Sequence, residues 1–321
     1  MTTAVRDETR DGRAGGPRTA LVFPGQGAQK QGMGAVWRDS AAWPVVAEIS
    51  EYIGMDVEDL ILRADDATLR RTDLAQIAVF TTEVLAYREA AAAGVLGRVV
   101  ACAGHSLGEY TALHAAGVLS LADTARLIAA RGRAMREAAE TAPGTMAAIV
   151  KLTTPVVEEL TEAARATGQR VWVANVNAPG AVVVSGTVEG VEALEEPARE
   201  AGGKLIRIAV GGAFHSPLMA PAADALGIAL ETADFAPGTV PVVANVDARP
   251  HPGSEAWRER ELRQLTSPVR WEESVRTLAE ELDCPRFVEL GPGRQLIGMI
   301  RRIATDAERV AVDKPEVLTA I

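Results

Sequence analysis

Residues 99–116, VVACAGHSLGEYTALHAA, decide the class of fold. Val99 to Ala103 form a short apolar run of the kind that makes a buried strand, Gly104 cuts it off, and Glu109 to Ala116 read as helix. A similar run, Ala20 to Phe23, ends in Pro24 and Gly25, so ordered structure is expected to begin at Thr19. Strand, sharp turn and helix recur. The larger part of the chain is therefore expected to be a mostly parallel sheet covered by helices.

Outward from that stretch the rhythm changes. Thr145 to Val210 reads as strand Ala147 to Lys151, helix Pro155 to Ala166, strand Val171 to Asn175, a turn at Ala178-Pro179-Gly180, strand Ala181 to Ser185, helix Val188 to Ala201 and strand Leu205 to Val210. The order β-α-β-β-α-β is that of the ferredoxin-like split unit. It interrupts the larger pattern, which divides the chain into a small subdomain at 144–210 and a large one made of 19–143 and 211–321. A crevice between the two is the expected ligand site.

The 321 residues are 48% hydrophobic and 24% charged, which suits a packed globular core. Lys plus Arg number 33 against 43 Asp plus Glu, a net charge of −10 that argues against non-specific nucleic-acid binding. No apolar run approaches the roughly 18 residues of a membrane span. Residues 1–18 mix both charge signs and lack the apolar centre of a signal peptide, so they read as a disordered tail. Cys102 and Cys284 are far apart and no Cys/His cluster has metal-ligand spacing, so a reducing cytoplasm and no metal are expected.

The chemistry starts at Gly104-His105-Ser106-Leu107-Gly108, a G-x-S-x-G pattern that sets a serine on a strained strand-to-helix turn. Ser106 needs a base, and the chain has four histidines. His105 is adjacent and should point elsewhere; His114 lies about 12 Å along a helix; His251 sits between two prolines. His215 remains, in a glycine-rich loop after the last strand of the small unit, where a plain turn residue is the competing reading. An oxyanion needs two amide donors. Leu107, after the nucleophile, is one; Gln26, between Gly25 and Gly27, is nominated as the other against an ordinary Pro-Gly turn.

Ser120 and Asp123 form a capping-box-like start to a helix reaching about Ala139. Its apolar stripe is Leu121, Thr124, Ile128, Arg131, Met135 and Ala139, so Arg131 stands on the buried face. A buried guanidinium costs several kcal/mol unless a carboxylate meets it, from the protein or from a ligand; the plain alternatives are an internal salt bridge or a head that reaches the edge of the face. Beside a nucleophilic serine it suggests an acyl substrate with a free carboxylate.

These residues lie in a longer series: FPGQGAQ at 23–29, GHSLGEY at 104–110, RGRAM at 131–135, ANVNAPG at 174–180, GAFHSPLM at 212–219, SPVRW at 267–271 and ELGPG at 289–293. In this order they resemble the malonyl-CoA:acyl carrier protein transacylases and the related acyltransferases of polyketide synthases. The resemblance implies a large α/β-hydrolase-like subdomain with a parallel sheet carrying an inserted ferredoxin-like one. It implies that Ser106 is acylated, His215 is its base, Gln26 and Leu107 form the oxyanion hole and Arg131 grips the malonyl carboxylate. A main-chain carbonyl orients the histidine in that family, and Gln264 is put forward for it. Gln76 and Asn175 fall where the family has polar groups beside the acyl pocket, although this chain has Gln76-Ile77 where Gln-Pro is usual. Phe214, in Ala-Phe-His, implies malonyl rather than methylmalonyl preference.

The implied reaction is malonyl transfer from malonyl-CoA to an acyl carrier protein in fatty acid synthesis, with CoA a substrate rather than a cofactor, and with neither nucleic acid nor membrane as partner. Arg294, Arg301 and Arg302 are candidates for docking the carrier. A free-standing acyltransferase of a polyketide assembly line is the alternative. More remote are a serine hydrolase, which would use an acid between Ser106 and His215, and a silent carrier-binding module.

Overall fold

The computed structural model describes residues 16–321. The tail expected over 1–18 lies largely outside the described residues, and the first strand starts at Arg18, one residue earlier than expected. Ten strands follow in chain order: β1 Arg18–Phe23, β2 Arg98–Gly104, β3 Thr145–Val150, β4 Val171–Ala178, β5 Ala181–Gly186, β6 Lys204–Ile208, β7 Val242–Val243, β8 Pro250–His251, β9 Arg286–Leu290 and β10 Glu308–Val312.

They form two sheets. The larger has the order β10-β9-β1-β2-β7-β8, parallel throughout except for β8 at one edge. β1 is buried along nearly its whole length because helices cover both faces of a parallel sheet, which is why it reads as a continuous apolar run rather than an alternation. The smaller sheet is fully antiparallel with the order β4-β5-β3-β6, the pairing that a β-α-β-β-α-β chain adopts when its outer strands β3 and β6 become neighbours. Its own core, Ala147, Ile149, Val157, Val171, Val184 and Leu194 among others, is packed under the helices on one face.

Several expected boundaries in the small unit shift: its first strand is Thr145–Val150 rather than Ala147 to Lys151, and its second runs on to Ala178. The helix expected over Val188 to Ala201 is two, Val188–Glu192 and Glu195–Glu200. Pro197 has no N–H for the Ala193 carbonyl and its ring would strike that carbonyl, so one continuous helix is excluded. The last strand of the small unit ends at Ile208, not Val210. The helix Leu121–Thr141 starts as its sequence requires, with Ser120 Oγ accepting from the Asp123 N–H at 3.0 Å. The small sheet is tied to the segment behind the site by Val269, which donates to the Ala174 carbonyl at 2.9 Å and accepts from the Val176 N–H at 2.9 Å.

Candidate active site

At the end of β2 the chain must reverse sharply into the helix Gly108–Ala115. Only glycine fits on either side. A Cβ on Gly104 would lie 1.9 Å from the Gly108 carbonyl carbon, and one on Gly108 would lie 2.1 Å from the Phe23 carbonyl oxygen. Between them Ser106 is held at φ 54°, a left-handed conformation that costs a serine about 1–3 kcal/mol. Asn245, just after β7, fastens this turn: its Oδ1 accepts from the Ser106 N–H at 2.7 Å and its Nδ2 donates to the Gly104 carbonyl at 2.7 Å.

The hydroxyl so presented meets the base. Ser106 Oγ lies 2.7 Å from His215 Nε2, and His215 Nδ1 lies 2.9 Å from the Gln264 carbonyl. A carbonyl only accepts, so Nδ1 carries the proton and the Nε2 lone pair faces the serine. His215 is also at positive φ, 56°. Burial, reinforced by the nearby Arg131 charge, depresses its pKa to about 3, so the resting imidazole is neutral and able to take a proton. The other histidines are engaged elsewhere. His105 Nε2 pairs with Asn177 Oδ1 at 2.8 Å with its ring edge-on to Trp271, His114 Nδ1 sits 3.2 Å from the Leu119 carbonyl, and His251 pairs with Asp247 at 2.9 Å.

Arg131 is 1% exposed. Its Nη1 donates to Gln76 Oε1 at 2.6 Å; its Nη2 donates to Gln264 Oε1 at 2.8 Å and reaches Ser106 Oγ at 3.2 Å. The guanidinium stacks over Tyr110 with 5.5 Å to the ring centroid. Every direct hydrogen-bond partner is neutral, and no salt bridge to Arg131 forms among the described residues. Glu261 is near enough to feel the Arg131 charge without forming an ion pair with it, and Glu109 is near Glu261. Burial and mutual proximity push the Glu109 carboxyl above the ordinary carboxylate range, and burial does the same for Glu261. Of the two acids the sequence allowed, protein or ligand, no protein carboxylate among the described residues occupies the guanidinium.

Ser106, His215 and Arg131 face one cavity of about 240 Å³, walled on the large-sheet side by Gln26 and Phe214 and on the small-sheet side by Met146, Asn175 and Val183. The cavity is thus lined from both of the units that the sequence distinguishes. Neither the Gln26 nor the Leu107 N–H donates to another protein group among the described residues, which leaves both for an oxyanion. The Gln26 side chain is fixed by Thr72 Oγ1 at 2.6 Å.

Gln76 departs from expectation. It is fully buried, does not line the cavity, and spends its amide on Arg131, Thr72 Oγ1 at 3.1 Å and Met135 Sδ at 3.5 Å. It holds the arginine rather than an acyl group. Gln264 contributes more than its carbonyl: Nε2 donates to the Ser106 carbonyl at 3.1 Å and to Glu109 Oε1 at 2.8 Å. Glu109 in turn accepts the Asn245 N–H at 2.5 Å. Asn245 and Glu109 carry no signal of these roles in the sequence beyond the place of Glu109 in GHSLGEY. Of the proposed docking arginines, Arg294 pairs with Asp313 at 3.1 Å and Arg302 donates to the Pro179 carbonyl, while Arg301 is exposed.

Residues 20–314 match the acyl transferase domain family. The malonyl CoA-acyl carrier protein transacylase of Bacillus subtilis is 38% identical over 304 residues, covering 94% of this chain and 95% of that protein. The solved structure of malonyl CoA-acyl carrier protein transacylase from Coxiella burnetii superposes with a TM-score of 0.90 at 34% identity, over 95% of this chain and 96% of the other. A malonyl-transacylase solved in complex with its type II PKS acyl-carrier protein gives 0.89 at 35% identity, over 94% and 98%. A match spanning both sheets and the whole crevice, at such identities, is more than a shared fold: the chain belongs to the acyl transferase domain family.

Proposed function

We propose that this chain transfers a malonyl group from malonyl-CoA to the phosphopantetheine thiol of an acyl carrier protein, for fatty acid synthesis, in the cytoplasm. The observation that carries the reading is Arg131, a buried cation with neutral partners beside a serine–histidine pair in one cavity. Its Nη groups offer a flat pair of donors to a carboxylate, and the low-dielectric surroundings strengthen that grip. No helix among the described residues is long and apolar enough to cross a membrane.

In the first half-reaction Ser106 Oγ attacks the thioester carbonyl while its proton passes to His215 Nε2. The Gln26 and Leu107 amides stabilise the oxyanion. The C–S bond then breaks, His215 returns the proton to sulfur, and coenzyme A leaves as free thiol. The second half repeats these steps with the carrier thiol as nucleophile. Malonyl-CoA is consumed and coenzyme A is released as the free thiol, so coenzyme A takes part as half of a substrate rather than as a cofactor.

Intact-protein mass spectrometry tests this directly. Mixing with malonyl-CoA is expected to give a malonyl adduct on Ser106, absent in Ser106→Ala and discharged by holo carrier protein. No adduct would overturn the reading, and discharge to water at the same rate with and without carrier would make the chain a hydrolase. The solved transacylase with a type II PKS carrier favours a second reading, service to a polyketide line. Faster discharge to a polyketide carrier than to a fatty acid carrier would select it.

A further inference from the structure

A second cavity, of about 720 Å³, meets the catalytic one at Val210 and Phe214, which line both. Its wall is partly apolar, with Ala67, Ala139 and Ala209, and its rim carries three guanidinium groups, Arg70, Arg71 and Arg136. Their placement follows from helix packing. Gly132 lets the Leu121–Thr141 helix approach the start of the Thr72–Ala92 helix so closely that a Cβ there would lie 2.9 Å from Asp73 Cα. One turn further on, Arg136 reaches Asp73 at 3.3 Å, and Arg71 reaches the same carboxylate at 2.8 Å.

Asp73 is therefore shared by two arginines that it holds side by side. Arg136 also meets Glu140 at 2.7 Å. Arg70 is exposed and makes no ion pair within 4 Å among the described residues, although Asp65 is near enough to feel its charge. Five N–H groups per guanidinium leave most of these donors unused. A partly apolar trough that opens on a nucleophile and ends in spare guanidinium donors matches a thiol-terminated arm ending in phosphate.

We infer that Arg70, Arg71 and Arg136 form a phosphate-binding rim that holds the phosphate end of the pantetheine arm while its thioester lies at Ser106. The inference rests on the acyl-transfer reading above. Both the CoA donor and the carrier bring such a phosphate, and the rim would serve the chemistry they share.

Three donors separate the possibilities: malonyl-CoA, malonyl-4′-phosphopantetheine and malonyl-pantetheine, which has no phosphate. In the Arg70→Ala/Arg71→Ala variant, KM for malonyl-CoA in Ser106 acylation is expected to rise roughly tenfold. KM for the phosphopantetheine thioester should rise less, and that for malonyl-pantetheine should not change. The KM of wild-type enzyme for malonyl-CoA should rise with salt more steeply than the variant's. Arg70→Lys/Arg71→Lys should recover most of the loss, which separates charge from folding. Equal effects on all three donors, or none on any, would overturn the rim. Sensitivity confined to the carrier's KM, with both small phosphorylated donors unaffected, would overturn it as the donor's site and assign the arginines to the carrier alone. If wild-type enzyme takes malonyl from none of the donors, it is the acyl-transfer reading that fails.

Discussion

In the proposed reaction Arg131 would separate two acyl classes by a single charge. Its Nη groups are already oriented by Gln76 and Gln264, so a malonyl carboxylate meets donors that need no rearrangement. Arg131→Ala is expected to lower kcat/KM for malonyl transfer roughly a hundredfold or more, because a buried carboxylate would be left unpaired. Acetyl transfer, which makes no such pair, should be spared or raised, and competition between the two CoA esters would show it. Phe214, nearly buried and packed over Gly212, narrows the space next to His215. Phe214→Ser should raise the methylmalonyl-to-malonyl transfer ratio severalfold, as measured with mixed donors; an unchanged ratio removes the ring from selectivity. Since His215 is held neutral down to about 3, the acylation rate at saturating donor should show no fall near pH 6.5, where an exposed histidine would lose its lone pair. A rate limb at 6.5 would contradict that environment.

At the scale of elements, the elbow is the most constrained piece of chain. Gly104→Ala forces a methyl onto the Gly108 backbone, and neither β2 nor the following helix can retreat, because β2 pairs with β1 and β7 on its two sides. Loss of several kcal/mol of stability, or failure to fold, is the expected outcome, whereas Gly94→Ala in an open turn, with nothing within 4 Å, should cost only the strain of its positive φ, about 1 kcal/mol. Thermal unfolding of the two variants checks the contrast. The elbow, the β-α alternation and the split unit were legible because each is written locally, in apolar runs ended by glycine or proline. Arg131 was legible too, since a charge in an apolar stripe is a local contradiction. Gln76 was not. Its helix, Thr72–Ala92, is buried over most of its circumference, so no periodic face shows where the glutamine points, and its partner is 55 positions away. Asn245 and Glu109 were hidden for the same reason, being joined across 136 positions by a contact that only the folded sheet creates. The break before Pro197 is written locally too, since a proline without an N–H cannot continue a helix begun at Val188.

Across the whole molecule, buried titratable groups set how stability varies with pH. Burial raises the carboxyls of Glu83, Glu109, Glu261 and Glu289 above their ordinary 4.5, so between that value and their folded values the native state binds protons that the unfolded chain has lost. Their contribution therefore falls as pH rises above 4.5. Burial lowers His105, His114 and His215 below 6.5, so between their folded values and 6.5 the unfolded chain binds the extra protons. That contribution is present above 6.5 and falls as pH drops. The two sets oppose one another between 4.5 and 6.5, only the histidines act below this window, and only the acids act above it. The midpoint of thermal unfolding should accordingly peak between pH 4.5 and 6.5 and decline above that window, where Glu261 and Glu289, raised to about 7, are still losing their protons. Glu83 offers the cleanest test, because it lies away from the catalytic cavity with Thr111 Oγ1 bonded to one oxygen and no partner on the other. Glu83→Gln keeps the Thr111 bond and removes the titration. It should leave stability at pH 5 nearly unchanged and flatten the alkaline decline by up to about 1.4 kcal/mol per pH unit. A variant whose stability falls as steeply as wild type above pH 6.5 would show that Glu83 does not hold its proton in the folded chain beyond the ordinary carboxylate range.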